Sequence, residues 1–190
     1  MGGTDGGKKF LLRRDSAVLL IVDIQEKLAA IMEERRKVAA NCVHLVEAAK
    51  LLSIPVVLTE QYSKGLGPTI PEIKTALHSY EPIEKMTFDC CGEPSFLAAE
   101  ALGKGEKTVV LAGMETHICV LQTCLGLLDR GFKVHVISDA VCSRAKENYF
   151  TALEFMRDAG AVVSCTETAL FQLLERVGTQ EFRAVSRRIK

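Results

Sequence analysis

The sequence has no surplus charge of either sign: 24 Lys and Arg are matched by 24 Asp and Glu among 190 residues. Without a basic field to hold a phosphate backbone, nucleic acid is not an expected partner. Long hydrophobic runs are missing as well. The longest strictly apolar stretch, Ala17–Val22, has six residues, whereas a membrane span needs roughly 20. The opening MGGTDGGKKF contains no apolar segment of the secretory kind, and Gly6 stands where a myristoylation signal wants Ser or Thr. The first apolar run passes into DIQEKL with no Gly-x-Gly turn, which excludes a dinucleotide-binding reading. His44, His78, His117 and His135 form no ligand-spaced pair, so neither a metal nor a cofactor is expected.

Cysteine, by contrast, is plentiful but odd in number, at seven. A chain of this length supports its own core without staples, so the cysteines read as reduced thiols in a cytoplasmic compartment. Residues 1–9 are glycine-rich and read as a flexible arm before one domain over 10–190.

Short apolar runs alternate with segments of helical period. AVLLIVD (17–23) is too continuously apolar for a half-exposed strand and reads as one covered on both faces. Val38, Cys42, Leu45, Val46, Ala49 and Leu52 recur at spacings of three and four, the stripe of a buried helix face. A strand over 55–60 follows, and GLGPTIPE (65–72) is rich enough in turn formers to predict a loop. An extended piece over 83–86, a helix from Pro94 and a strand over 108–111 come next. The pattern then gives a helix over 116–130, a strand over 133–138, a helix over 143–159, a strand over 161–164 and a helix over 167–176. Such alternation predicts a single-domain, three-layer α/β/α fold with an open, mostly parallel, Rossmann-like doubly wound sheet. Sites in that architecture form where strands end at their carboxyl edge.

Three residues meet that condition. Asp23 follows the first strand, Lys85 lies in the extended piece and Cys119 follows VVLAG in GMETHIC. With Thr116 as N-cap, Cys119 falls in the first helical turn, where the dipole and a lysine lower a thiol pKa. Asp23 then takes the thiol proton and returns it to a leaving group, and nearby backbone N–H groups suit an oxyanion. Each residue also has an ordinary reading: a loop acid, a solvated lysine, a core thiol.

The chain resembles the isochorismatase-like cysteine hydrolases, the superfamily that includes nicotinamidases and N-carbamoylsarcosine amidases. The match runs through LLIVDIQ, PVVLTEQYSKGLGPTIPE, IEKMTFDC, VVLAGMETHICVLQT and GFKVHVISDAVCSRA. It looks most like the isochorismatase domain-containing proteins. The resemblance implies Asp23 as general base, Lys85 as the accompanying lysine and Cys119 as nucleophile. It also implies a cis peptide at Met114–Glu115 that aims the N–H of Glu115, with that of Cys119, at an oxyanion. TEQYSKG lacks the Asp-x-His metal segment of nicotinamidases, so the expected substrate is another small amide or acyl compound, cleaved through a thioester.

Gln25, Gln61, Tyr62 and Phe88 flank the three residues in these motifs and are candidate substrate-pocket residues. His117 is a candidate for the pocket rim: two positions from Cys119 on a helix, it points about 200° away. A non-hydrolytic thiol sensor or interaction protein is the competing reading. Leu125, Leu127, Leu128, Phe150 and Phe155 make two helices more apolar than one sheet face requires, which predicts a homo-oligomer.

Overall fold

Ala17–Val22 forms the first strand, β1. Its side chains alternate between two apolar layers: Ala17, Leu19 and Ile21 join one, Val18, Leu20 and Val22 the other. A strand apolar on both sides must be covered on both, and that requirement generates the rest of the architecture. The computed structural model describes residues 10–103 and 106–189; the arm read over 1–9 lies outside them.

After β1 the chain forms α1 (Glu26–Ala30), α2 (Arg35–Leu51), β2 (Val56–Gln61), α3 (Ser63–Leu66), α4 (Pro71–Ala76) and β3 (Ile83–Lys85). It continues through a 3-10 turn at Cys90–Gly92, α5 (Pro94–Leu97), a 3-10 turn at Glu100–Leu102 and β4 (Thr108–Met114). A π-type turn over Thr116–Val120 leads into α6 (Leu121–Asp129), then β5 (Lys133–Cys142), α7 (Lys146–Asp158), β6 (Val162–Ser164), α8 (Thr166–Leu174) and α9 (Gln180–Arg188).

The six strands lie in the order β3-β2-β1-β4-β5-β6, and every pairing is parallel. Helix α2 buries Val38, Ala39, Cys42, Leu45, Val46, Ala48 and Ala49 on one face of the sheet, where α8 packs beside it. Helices α6 and α7 bury Cys124, Leu127, Ala152, Leu153 and Met156 on the other. The three-layer doubly wound fold is therefore present. Because β1 connects toward β2 and β4 toward β5, the winding reverses between β1 and β4, and a crevice opens at their carboxyl ends.

Strand register determines what meets there. Val22 pairs with Thr59 of β2 and with Gly113 of β4, while Gln61 pairs with Lys85. Gly113 has φ +136, and a Cβ on it would lie 2.1 Å from the carbonyl oxygen of Val22. Only glycine lets the two central strands approach this closely at the crevice.

Several boundaries differ from the sequence reading. The expected loop at 65–72 contains the end of α3 and the start of α4, and α5 has four residues rather than a full helix. Short helices have too few turns to display a period. β5 runs on past 138 to Cys142 because, after a register shift, Val141 and Cys142 pair with Gly113 and Met114 of β4. Helix α9 is mostly polar and docks through Val185. Leu127 belongs to the core, whereas Phe150 and Phe155 are exposed.

Candidate active site

The crevice contains an ion pair with no access to water. Lys85 Nζ lies 2.7 Å from Asp23 Oδ2, and neither side chain is exposed. Asp23 follows β1 in the left-handed region, φ +50, a conformation that Asp tolerates better than most residues. Its N–H donates to the Thr59 carbonyl at 3.2 Å, and the Thr59 hydroxyl donates to Asp23 Oδ1 at 2.7 Å. Lys85 ends β3 and donates to Gln61 Oε1 at 2.6 Å and to the carbonyls of Thr87 and Phe88 at 3.1 and 3.3 Å. Burial alone would lower the Lys85 pKa. The Asp23 carboxylate beside it is the main opposing influence, and the net effect is a raised value, so Lys85 stays an ammonium.

Cys119 completes the group, with its thiol facing the Asp23 carboxylate. Here the sequence reading needs a correction. Burial and then the Asp23 charge push the Cys119 thiol up to about 12, against the opposing pull of Lys85. The resting sulfur is a neutral thiol, not the thiolate expected from a helix N-terminus. Two physical causes account for this. The lysine is already committed to the carboxylate, so its field is largely cancelled at the sulfur. Cys119 also sits within the π-type turn rather than in the first turn of α6. The Glu115 carbonyl accepts from the N–H of Ile118 and Val120, at 3.1 and 3.2 Å, and passes over Cys119. The Met114–Glu115 peptide is cis.

The remaining candidates divide. Gln25 is fully buried: its Oε1 accepts from the Gln61 N–H, and its Nε2 donates to the carbonyls of Gln61 and Gly67. With its amide spent, Gln25 clamps β1 to β2 and does not line a pocket, contrary to expectation. Gln61 holds Lys85 and donates to the Met86 carbonyl at 3.0 Å. Tyr62, just past the end of β2, and Phe88, three residues past the end of β3, are both exposed. The Glu115 carboxylate turns to the next loop, taking the Arg144 N–H and Nε at 2.9 and 3.1 Å. His117 Nδ1 lies 2.9 Å from Ser143 Oγ and Nε2 3.3 Å from Asn148 Nδ2, so it makes no pair with the sulfur.

Sequence reasoning missed Thr59 and Cys90. Cys90 places its sulfur 3.9 Å from Thr59 Oγ1. Thr59 could have been found as the residue two positions before Gln61, on the same face of a strand. Among the described residues no group of three or more His, Cys, Asp or Glu is placed to hold a metal. A separate cavity of about 310 Å³ opens at the carboxyl end of β5, between Lys37 of α2 and Tyr149 of α7.

The chain has clear relatives among known proteins. The isochorismatase domain model matches residues 17–168, and the chain belongs to that family, the isochorismatase-like hydrolases. A secreted isochorismatase effector, Isc1, from Phytophthora sojae is 40% identical, with 92% of this chain and 85% of that protein covered. Human isochorismatase domain-containing protein 2 is 35% identical, covering 92% of this chain and 83% of its own, and this chain falls in that subgroup. Among solved structures, one described as MAR1 ribonuclease from Caenorhabditis elegans superposes with a TM-score of 0.87 and 36% identity, covering 94% of this chain and 92% of that one.

Proposed function

We propose that the chain is a cysteine hydrolase that cleaves a small amide or related acyl compound through a thioester. The observation that carries this reading is a thiol facing a buried carboxylate that is itself paired to a lysine, at the crevice between β1 and β4. As Cys119 attacks the acyl carbon, its proton passes to Asp23, so the thiolate exists only during attack. The N–H groups of Glu115 and Cys119 receive the oxyanion. Asp23 then protonates the leaving amine or alkoxide, and next takes a proton from water as that water opens the thioester. As the S–C bond breaks, Asp23 returns that proton to the sulfur and Cys119 leaves as the thiol. Lys85 stays charged throughout and balances the carboxylate's charge between proton transfers. The mechanism invokes no metal or cofactor.

Tyr62, Phe88 and His117 form the rim past which a small, uncharged or weakly charged substrate enters. The thiol-sensor reading is disfavoured, because oxidation sensing relies on a low-pKa, exposed sulfur, and Cys119 is the opposite. RNA is not the proposed substrate, because the chain carries no net positive charge to hold it. We place the protein in the cytoplasm, although the Phytophthora relative is named as secreted; no described helix is long and apolar enough to cross a membrane. Exposed Phe150 and Phe155 on α7 support a homo-oligomer, which light scattering will detect.

The test is a panel of small amides and esters, with a labelled RNA alongside. Turnover of a panel member, lost in Cys119→Ser and Asp23→Asn, with an acyl adduct on Cys119 in the mass spectrum, is the expected result. Turnover that survives Cys119→Ser, or cleavage of RNA alone, overturns the proposal.

A further inference from the structure

The hydrogens around Asp23 can be counted. Lys85 has three, shared among four acceptors: Gln61 Oε1 at 2.6 Å, Asp23 Oδ2 at 2.7 Å and the Thr87 and Phe88 carbonyls at 3.1 and 3.3 Å. Apart from the lysine, no donor stands in hydrogen-bonding geometry to the buried Oδ2. Oδ1 is different: the Thr59 hydroxyl donates to it at 2.7 Å. The other polar neighbour of that hydroxyl is Cys90 Sγ at 3.9 Å, a long contact that does not compete with the carboxylate for the hydroxyl hydrogen. Thr59 itself is fully buried, β-branched and fixed by its pairing with Val22.

We propose that Thr59 is the positioning residue of the catalytic base: by holding Oδ1 it fixes the carboxylate plane and keeps Oδ2, beside the lysine, turned to take the Cys119 proton on its remaining lone pair. In that step the S–H bond of Cys119 breaks, an O–H bond forms on Oδ2, and the sulfur electron pair goes to the acyl carbon. Without the Thr59 hydroxyl, the carboxylate can rotate toward the lysine and present neither oxygen squarely to the thiol. The inference rests on the base role proposed above for Asp23.

The readout needs no substrate: the rate at which iodoacetamide alkylates Cys119, resolved by peptide mass spectrometry. Thr59→Ser and Thr59→Ala both lose the methyl group and differ only in the hydroxyl. Alkylation is expected about tenfold slower in Thr59→Ala than in Thr59→Ser, a fraction of the hundredfold or more that general-base catalysis supplies. Should Thr59→Ala fail to fold, Thr59→Val keeps the shape without the donor and gives the same slowing. Placed on Asp23→Asn, Thr59→Ala adds nothing, an outcome that a purely structural role does not give. Equal rates for Ser and Ala, with turnover of the acyl panel lost in Asp23→Asn, overturn the Thr59 assignment alone. Turnover that survives in Asp23→Asn overturns the base reading and this inference with it.

Discussion

Lys85 Nζ and Asp23 Oδ2 stand 2.7 Å apart with no exposure on either side chain, and the same ammonium also reaches Gln61 Oε1 and the carbonyls of Thr87 and Phe88. The lysine is thereby anchored from several sides while its charge faces the carboxylate. It also makes the pair costly to split. Removing one partner of a buried ion pair costs about 3–5 kcal/mol, because the other charge is stranded. Lys85→Met is expected to lose stability on that scale in urea unfolding, and the double variant Lys85→Met/Asp23→Asn to recover most of it. A single variant within about 1 kcal/mol of wild type would contradict the pairing.

Alkaline pH tests the thiols. Burial first pushes Cys90, Cys91, Cys119, Cys124 and Cys142 each up to about 12, and raises Cys42 further. In the unfolded chain they titrate near 8.5. Above that pH the unfolded state has lost protons that the folded state retains, so stability falls as pH rises. Below it the stabilisation is fully present. Each thiol contributes a slope of up to about 1.4 kcal/mol per pH unit. Urea midpoints are expected to hold steady to about pH 8 and then drop continuously toward pH 10; a flat profile rejects the burial pattern.

His117 offers a contrast with enzymes that use a cysteine–histidine pair. Its ring contacts Ser143 and Asn148, so His117→Ala is expected to leave Cys119 alkylation within about threefold of wild type. Loss of a true general base costs a hundredfold or more. A fall of that size would reassign the base.

Gly113→Ala probes the contact between the central strands. The added methyl would sit 2.1 Å from the Val22 carbonyl oxygen, at a φ of +136 that side chains rarely adopt. The expected cost is at least about 3 kcal/mol, because backbone must move at the centre of the sheet. Thermal melting by circular dichroism checks this; a melting temperature equal to wild type refutes it.

The sequence revealed most where chemistry and periodicity coincide. AVLLIV is apolar at every position, so a strand covered on both faces followed directly, and the doubly wound sheet with it. Asp23, Lys85 and Cys119 were legible because each stands at or just beyond a strand end. The state of the sulfur was not. A helix-start argument sees only the dipole, whereas the thiol's pKa is decided by burial and by a carboxylate 96 positions away in the chain. Gln25 was misplaced for a related reason: flanking Asp23 in a motif does not reveal that both ends of an amide are already spoken for. Thr59 carried no signal of its own, since a hydroxyl in a strand reads as β propensity until its partner is located across the sheet.

Gln25 grips the main chain at Gln61 and again at Gly67, while Glu60 below accepts from the N–H and hydroxyl of Thr69. The chain between these moorings is strapped at its middle too: Ser63 donates from its N–H and hydroxyl to Glu84 Oε1, and the Gly65 carbonyl accepts from Lys27 Nζ. On that arch Tyr62 and Lys64 stand exposed. Drift in ligand preference among kindred proteins should therefore be written in those two outward side chains first, and only later in the strands.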